Sequence, residues 1–573
     1  MIPMNNRTLP HWDLTTVYKG VDTPDFTGDL EKVSLLCTRV CDDIRAHKPL
    51  YDIIMGINEV MGIYWTLSAY SNAVLSTDTS NGAYIKAVGQ VEDAGLKFIE
   101  MENLFTVSIA SFRDEFSDPR LKDYSYILDR YLTDSTHMMS LAEEALASDL
   151  ARSGVGAFER LYDAVSSTIG ADGKTVIQLR NDATNPDREV RKASYEKEKK
   201  VWAEHEAAFA ACLNSIKGTV LTLEKRRGWS SPLEHSAAQA RISVKALDAL
   251  IRTLEKNLPM FRKYFGYKAK LLGVEKMAWY DLFAPVGKST REYTFEEAKD
   301  VIIRCYSAFD PRMGAFAANA FENNWIDAEP RKGKVGGAYD TSMFKVKQSR
   351  ILSNFDGSFD SVSTLAHELG HAYHDSVVMD NPAMLADYPM TVAETASIFA
   401  ETIVFNAILK ESSAEEALPI IESYVGSAAQ VCVDILSRFY FERSTFEKRK
   451  DGELTPDEFT ALMKKAQDDS YGDAVEDKHE RMWEAKGHYY SSGFSFYNYP
   501  YAFGQLFALG LYAQADKTPD FPDRYRELLR LTGSASANDV ALSAGCNIED
   551  EAFWQSGMDF IASLIERLGT YCC

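Results

Sequence analysis

A long helix-favouring segment, residues 185–229, indicates the fold class. It reads "NPDREVRKASYEKEKKVWAEHEAAFAACLNSIKGTVLTLEKRRGW". Asn185 before Pro186 is a helix-start signal, strong helix formers follow, and Gly228 is a stop signal. The same periodicity runs through most of the sequence, and strand-like alternation is rare. We therefore expect a mainly α-helical protein, in which this segment joins an N-terminal lobe to a larger C-terminal one.

Charge and composition exclude several classes of partner. The formal net charge of −22 argues against binding to nucleic acid, which needs clustered Lys and Arg. The first twenty residues lack the pattern of a secretory signal, and no stretch has the uninterrupted apolar length of a membrane span. The eight cysteines show no paired spacing, so we expect free thiols. We expect a soluble cytoplasmic protein without nucleic-acid or membrane partners; the sequence favours neither a monomer nor a homo-oligomer.

Two short β segments interrupt the helical pattern. Asp172-Gly173 lies between β-prone runs and predicts a tight hairpin. Residues 336–358, "GGAYDTSMFKVKQSRILSNFDGS", offer two strands just before a histidine-rich segment. An edge strand at that place can pair with an extended peptide, so Gly337, Ala338 and Tyr339 are candidate substrate-binding residues. A hairpin that only braces the following helix is an equally good interpretation.

The histidine-rich segment is "TLAHELGHAYHD", residues 364–375. On a helix, His367 and His371 project from one face within reach of one ion, and Glu368 lies beside them, where it can touch water without being a ligand. Metal-assisted hydrolysis needs this arrangement. A chance match to so short a pattern is the alternative, but apolar neighbours indicate a buried helix, and burying these groups without a metal costs several kcal/mol. His374 also shares this face, and we interpret it as structural or substrate-side.

A third ligand is expected from the next helix, "PMTVAETASIFAETIVFNAILK". If the first helix ends near Val378 and the second begins after Pro389, one turn brings Glu394 level with the histidines. Glu401, two turns further on, is better placed to hydrogen-bond a ligand. The expected ion is one Zn²⁺, and cobalt or manganese suit the same ligands.

A tyrosine-rich segment near the C-terminus, "HYYSSGFSFYNYPYAFG", spans residues 488–504 and is called the aromatic segment below. Core packing alone favours Leu and Ile, since each buried Tyr needs a partner for its hydroxyl. Tyr497, Tyr499 and Tyr501 are therefore suited to donate to the charge that develops on a carbonyl oxygen. An aromatic patch lining the gap between lobes is the alternative.

Together, "HELGHAYH", "VAETASIFAE" and the aromatic segment resemble the oligoendopeptidase F branch of the thimet-oligopeptidase family of zinc metallopeptidases. "LPHWDLTTVY", "DREVRKASYE", "LNSIKGTVLTLEKRRGW" and "YKAKLLGVEKMAWYDLFAPV" extend the resemblance over nearly the whole chain. It implies a two-lobed helical fold with a deep channel, in which one zinc cuts internal bonds of short peptides. We accordingly expect an N-terminal helical lobe over residues 1–195 and a catalytic lobe over residues 196–573.

The resemblance also implies roles for individual residues. His367, His371 and Glu394 would be the metal ligands and Glu368 the catalytic base. His488 and the tyrosines would contact the substrate and the oxyanion, with Tyr501 the expected oxyanion donor, Tyr497 one turn away, and Tyr499 beside them.

Two other functions compete with an oligopeptide endopeptidase. A helical metallocarboxypeptidase would trim C-terminal residues and would need a fixed cation for the terminal carboxylate, for which Arg350 is a candidate. A non-catalytic peptide-binding protein would use the channel only for binding, against which the intact Glu368 argues.

Overall fold

The fold is mainly helical, as the sequence predicts. The structure, a computed structural model, describes residues 9–287, 291–515 and 518–572. The α-helices, in chain order, are α1 (Pro24–Arg45), α2 (Leu50–Thr77), α3 (Gly82–Ser108), α4 (Ser125–Thr136), α5 (Leu141–Ser153), α6 (Val155–Thr168), α7 (Val176–Asn181), α8 (Arg188–Glu204), α9 (Glu206–Arg227), α10 (Pro232–Gln239), α11 (Val244–Leu272), α12 (Phe295–Phe309), α13 (Pro311–Glu322), α14 (Phe359–Val378), α15 (Met390–Glu411), α16 (Ala414–Ala429), α17 (Ile435–Arg449), α18 (Pro456–Tyr471), α19 (Met482–Ala485), α20 (Tyr499–Ala515), α21 (Phe521–Leu531), α22 (Ala537–Ser543) and α23 (Glu551–Gly569).

Short strands interrupt the helices. They are β1 (Gly170–Ala171), β2 (Lys174–Thr175), β3 (Met277–Ala278), β4 (Ile326–Asp327), β5 (Tyr339–Met343), β6 (Gln348–Leu352) and β7 (Val475–Glu476). Strands β5 and β6 form the predicted antiparallel pair, β4 joins β6 in parallel, and β5 is therefore an edge strand of this sheet. Asp172 and Gly173 take left-handed φ angles of 52° and 79° in the predicted hairpin β1–β2.

The chain forms two compact units, each assembled from three chain segments. The first unit comprises Met1–Thr136, Arg291–Glu411 and Gln514–Cys546. The second comprises His137–Thr290, Ser412–Ala513 and Asn547–Cys573. The boundary expected between residues 195 and 196 falls inside α8, within the second unit, and the division into two consecutive lobes remains a prediction.

The long helical segment is broken once. Its start is capped by Asp187 and its end by Gly228, which takes a left-handed φ of 81°. At His205 the chain leaves the helix. In a regular helix the His205 amide would donate to the carbonyl oxygen of Val201, but here Nδ1 of the His205 ring lies 2.9 Å from that oxygen. That amide pairs with Trp202 instead, and α9 then begins. A side chain competing for a backbone acceptor thus divides the predicted helix in two.

The core of the first unit supports the sheet. Buried side chains of α1, α2, α3 and α4 form one hydrophobic cluster that also contains Met343 of β5 and Leu352 of β6. The edge strand is therefore seated on packed helices. This close packing fixes the main chain of β5 beside the next helix, α14.

Helix α15 alone, among the described residues, is long and apolar enough to span a membrane by length and composition. Most of this helix's apolar part is buried inside the protein. Core helices of soluble proteins share this property, so the signal is weak. Seven cysteines are free thiols, as expected, and Cys573 lies outside the described residues.

Candidate metal centre

Helix α14 carries the two histidines. Its N-terminus is capped by Ser358, whose hydroxyl accepts from the amide of Ser361, and it ends at Val378, where the sequence predicts its end. The imidazole rings of His367 and His371 lie one turn apart, with centroids separated by 4.9 Å. The helical spacing alone therefore brings two nitrogen ligands to one face.

Helix α15 approaches α14 unusually closely at Gly370, between the two histidines. A Cβ atom at this position would lie 2.6 Å from Cα of Ser397 and 2.7 Å from the carbonyl oxygen of Ala396. Only a glycine permits this contact, because even a methyl group would force the two backbones apart. The close crossing brings Glu394, in the first turns of α15, to the histidine pair.

The metal cluster consists of His367, His371 and Glu394, whose ligand atoms all lie within 4.8 Å of one another. Oε2 of Glu394 is 3.2 Å from Nε2 of His367 and 3.4 Å from Nε2 of His371. A tetrahedral zinc at its usual ligand distances separates neighbouring ligand atoms by about 3.3 Å. The spacing and the two-nitrogen, one-oxygen donor set therefore fit a single zinc-like ion.

The charges in the metal cluster support the same conclusion. Burial opposes ionisation of Glu394, but hydrogen bonds from the two histidines outweigh it and lower the pKa of Glu394. Burial likewise opposes protonation of His367, and its contacts with Glu394 and Glu401 outweigh it and raise the pKa of His367. The carboxylate is thus held ionised against two imidazoles, and a cation would replace the imidazole proton.

Glu401 lies behind the cluster, where the sequence places it. Its Oε2 is 3.2 Å from Nδ1 of His367, and its Oε1 accepts from the Ser363 hydroxyl at 3.0 Å. Because Nδ1 faces Glu401, Nε2 of the same ring is left to face Glu394. A carboxylate in this position orients a metal-binding imidazole and strengthens it as a ligand.

Glu368 lies beside the metal cluster, in the wall of a cavity of about 630 Å³. The side chain is only slightly exposed, and burial raises its pKa. A carboxylate whose pKa is raised is a stronger base, and one beside a water-activating ion is placed to accept a proton. The cavity is lined by Trp65, Ala338, Tyr339, Asp340, Thr341, Ser342, Phe344, His367, Glu368, His371, Asp375, Val378, Met379, Ala386, Asp387, Tyr388, Ala393 and Glu394.

His374, interpreted from the sequence as structural or substrate-side, lies in the protein interior. It is fully buried, its Nε2 lies 2.8 Å from the Thr532 hydroxyl, and its ring stacks on Tyr388 at 4.2 Å. Burial lowers its pKa to about 3, so the ring is neutral. It serves the packing of α14.

The predicted peptide-binding residues at the start of β5 lie partly in the same cavity. Ala338 and Tyr339 line it, whereas Gly337 is exposed, with a φ of 79°, and its carbonyl accepts from Asn354 at 2.8 Å. The Tyr339 hydroxyl pairs with Ser76 at 2.5 Å, which holds the ring against the first unit's core. Their role in binding peptides stays a prediction.

Two acidic residues of this site escaped the sequence analysis, Asp340 and Asp375, both in the cavity wall. Asp375 follows His371 by four residues and so shares its helical face, which is a usable signal. Asp340 directly follows a predicted peptide-binding residue. Nothing in either pattern indicates that the two carboxyl groups meet.

Arg350 does not offer a cation to a substrate carboxylate. It is fully buried on β6. Its guanidinium donates to the carbonyl oxygens of Asp13 and Ser349 and to the side chains of Thr16 and Gln348. Among the residues that line the cavity there is no lysine or arginine. This contradicts the proposed role for Arg350 and disfavours the carboxypeptidase alternative.

The aromatic segment belongs to the second unit, where three of its side chains cluster. The His488 and Tyr497 rings stack at 5.5 Å, and the Tyr501 hydroxyl lies 3.5 Å from Nε2 of His488. Burial, with Arg438 and Lys486 nearby, lowers the pKa of His488 to about 4, so the ring is neutral. All three remain partly exposed.

Tyr499 differs from its neighbours and corrects the sequence analysis. It is fully buried, and its hydroxyl lies 3.1 Å from that of Ser236. Alternation along the segment made it look equivalent to Tyr497 and Tyr501, but helix α20 begins here and turns it into the core. It therefore packs rather than contacts substrate.

A mainly helical fold that carries a His–His–Glu cluster, with a further glutamate beside it in a cavity, defines a helical metallopeptidase. Comparisons with known proteins narrow the class. The model of Peptidase family M3 matches residues 183–560, and that of Oligopeptidase F matches residues 105–169. The chain belongs to peptidase family M3, which confirms the resemblance seen in the sequence.

Two curated relatives match most of this chain. The Oligoendopeptidase F homolog of Lactococcus lactis subsp. lactis (strain IL1403) is 23% identical over 591 residues, covering 97% of this chain and 96% of the relative. Oligopeptidase PepF of Bacillus subtilis (strain 168) is 26% identical over 525 residues, covering 87% and 77%.

Solved structures share the fold. A structure from Chlamydophila abortus aligns with a TM-score of 0.84 at 22% identity, covering 98% of both chains. Oligoendopeptidase-F from Enterococcus faecium aligns with a TM-score of 0.68 at 18% identity, covering 95% of this chain and 98% of the other.

Proposed function

We propose that the protein is a zinc-dependent endopeptidase that hydrolyses internal peptide bonds of short oligopeptides. The observation that carries the proposal is Glu368 beside the metal cluster, in the wall of one cavity, in a chain of family M3. The relatives named as oligoendopeptidases support the choice of substrate. A cytoplasmic location remains a prediction from the sequence.

The residues divide the chemistry as follows. His367, His371 and Glu394 would hold the ion, which supplies a Lewis acid for the scissile carbonyl and lowers the pKa of water. Glu368 accepts the proton of the attacking water and later delivers it to the leaving amine. Glu401 keeps the His367 ring in its ligand orientation through Nδ1.

Two further roles belong to the proposal. Tyr501 and His488 donate to the oxyanion, for which the support is the family resemblance and their mutual contact. Ala338 and Tyr339, on the cavity wall, contact the peptide, with Tyr497 as a further contact. Hydrogen-bond donors aimed at a developing oxyanion contribute about 3 kcal/mol each in other hydrolases.

Replacing Glu368 with Gln tests the proposal. The variant keeps the shape of the side chain and removes the base, so turnover of a blocked oligopeptide should fall by about a thousandfold while zinc content is unchanged. Asp172→Asn, a neutral replacement of an exposed carboxylate in the second unit, is the control and should match the parent protein.

The peptide used in this test is acetylated at its N-terminus and amidated at its C-terminus. Mass spectra of the products then distinguish internal cuts from trimming. If Glu368→Gln cleaved the peptide at the parental rate, another group would be the base. If the parent protein left the blocked peptide intact, the endopeptidase assignment would be wrong.

A further inference from the structure

Two carboxyl groups meet beside the proposed base and take no part in the chemistry described above. Asp340 of β5 and Asp375 of α14 are joined by a side-chain hydrogen bond, and both line the cavity. Two carboxylates repel each other, and neither has a hydrogen to donate. The contact therefore requires that one of the two groups carries a proton.

The surroundings indicate which group carries it. Asp375 accepts from the Tyr388 hydroxyl at 2.6 Å and from the side chain of Ser342. In contrast, Oδ1 of Asp340 is buried and finds no hydrogen-bond partner within the described residues. A buried charge is tolerated where donors surround it and is costly where they do not. Asp375 is accordingly the ionised acceptor, and Asp340 is the neutral donor.

Burial raises the pKa of both carboxyl groups, and hydrogen bonds from Tyr388 and Asp340 oppose that rise at Asp375. Burial, followed by the negative charge of Asp375, raises the pKa of Asp340 well above its usual range. Glu368 adds to the same effect, because ionising Asp340 would place another negative charge near it. Tyr388, the donor to Asp375, is itself held by stacking on His374. Tyr388 thus holds Asp375 in place, and burial keeps Asp340 protonated.

The main chain of Asp340 reaches the base. Its N–H faces the carboxylate of Glu368 and lowers the pKa of that group, against the rise caused by burial. The strand register requires this direction: Asp340 is opposite Ile351, whose own N–H donates away from β5, to Trp325 at 2.9 Å. In an antiparallel pair, a residue whose partner points away points away as well. The Asp340 N–H is therefore directed to the open edge of the sheet, where Glu368 lies.

We propose that Asp340, in its protonated form, is a positioning residue for Glu368. Its side chain ties the edge strand to Asp375, and its N–H fixes the carboxylate of Glu368, two helical turns earlier on α14. The strand and the metal-bearing helix are thereby held at two points, and the base keeps one orientation toward the cavity. This inference rests on the proposed role of Glu368 as the base.

Replacing Asp340 with Asn and with Ala tests the proposal, with Asp172→Asn as the control. An amide donates the hydrogen bond that the protonated carboxyl donates, so kcat of Asp340→Asn should stay within about threefold of the parent value. Ala removes the tie, and kcat should fall about tenfold or more while KM and zinc content change little. A role in folding alone would lower the melting temperature without this difference between Asn and Ala.

An infrared difference spectrum tests the proton itself. At neutral pH, Asp340→Asn should remove the carbonyl stretch of one protonated carboxylic acid, and Asp172→Asn, which removes an ionised group, should not. The spectrum does not depend on turnover, so it tests the protonation of Asp340 even if Glu368→Gln overturns the proposed function. It also tests that protonation if Asp340→Ala fails to fold. An unchanged acid band in Asp340→Asn, or a loss of kcat as large as that of Ala, would overturn the proposal.

Discussion

The metal cluster and the aromatic segment are held in place by different means. The cluster lies on two regular helices, so helical spacing and one close crossing at Gly370 suffice to assemble it. The aromatic segment instead includes an irregular stretch, in which Phe496 takes a left-handed φ of 57°. Chain that lacks its own regular hydrogen bonds needs anchors from elsewhere.

Those anchors come from distant parts of the second unit. Asn498 donates to Glu442 at 2.9 Å and accepts from the Tyr499 amide at 2.7 Å, at the start of α20. The other oxygen of Glu442 pairs with Lys217 at 2.7 Å, and both charged groups are almost completely buried. The comparison teaches that the cluster depends on local geometry, whereas the aromatic segment depends on a buried ion pair.

Replacing Glu394 with Gln should have the largest effect. It removes the ionised ligand, and we expect metal affinity to fall by more than about a hundredfold and peptide cleavage to be lost. Metal content after dialysis, with competition by a chelator, measures it. Glu411→Gln, an exposed change on the same helix, is the control. Full metal content in the Glu394 variant would contradict the ligand assignment.

Lys217→Met should have the next largest effect and should act on the other region. It leaves Glu442 buried and unpaired, and we expect the free energy of unfolding to fall by about 3–5 kcal/mol. Denaturant unfolding measures the change. Lys200→Met removes an exposed charge from α8 and should cost less than about 1 kcal/mol. The comparison fails if Lys217→Met leaves stability unchanged or removes the metal from the folded protein.

Glu401→Gln should have a smaller effect on the metal cluster. Its contact with His367 orients a ligand without binding the ion, so we expect metal affinity to fall by about 10–100-fold. Measurement by chelator competition, with the same Glu411→Gln control, places it between the parent protein and Glu394→Gln. A loss equal to that of Glu394→Gln would indicate that Glu401 is itself a ligand.

A pH dependence of stability should be the smallest effect over a change of one pH unit, and it arises in the second unit. Burial raises the pKa of Glu484 from 4.5 to about 8. The folded state therefore binds the carboxyl proton of Glu484 more tightly than the unfolded state does. The stabilisation that this proton gives is complete below about pH 4.5 and is lost as the pH rises through 8. The slope from this group is at most about 1.4 kcal/mol per pH unit.

Glu484→Gln should flatten this part of the stability profile, as measured by unfolding at a series of pH values. Asp172→Asn provides the matched control, since its carboxylate is exposed. An unchanged slope in Glu484→Gln would show that other groups cause the dependence.

The comparison also explains how far the sequence could be interpreted. The end of α14 at Val378, the start of α15 after Pro389 and the antiparallel pair β5–β6 all follow from local signals, and the structure confirms them. The metal cluster follows because helical spacing converts a local pattern into a three-dimensional one.

The remaining features depend on partners far away in sequence. The hydrogen bond between Asp340 and Asp375 joins a strand to a helix, and the anchoring of Asn498 requires Lys217, which precedes it by nearly half the length of the chain. The buried hydroxyl of Tyr499 finds its partner in Ser236 of α10. No local periodicity encodes such contacts, because they arise only when separate elements pack.

X-ray absorption at the zinc edge of the holoprotein tests the central claim most directly. The account predicts one zinc with nitrogen and oxygen neighbours at about 2.0–2.2 Å and the scattering pattern of two imidazoles, and this pattern should be lost in Glu394→Gln. Sulfur neighbours at about 2.3 Å, or a spectrum unchanged in that variant, would place the ion elsewhere and contradict the account.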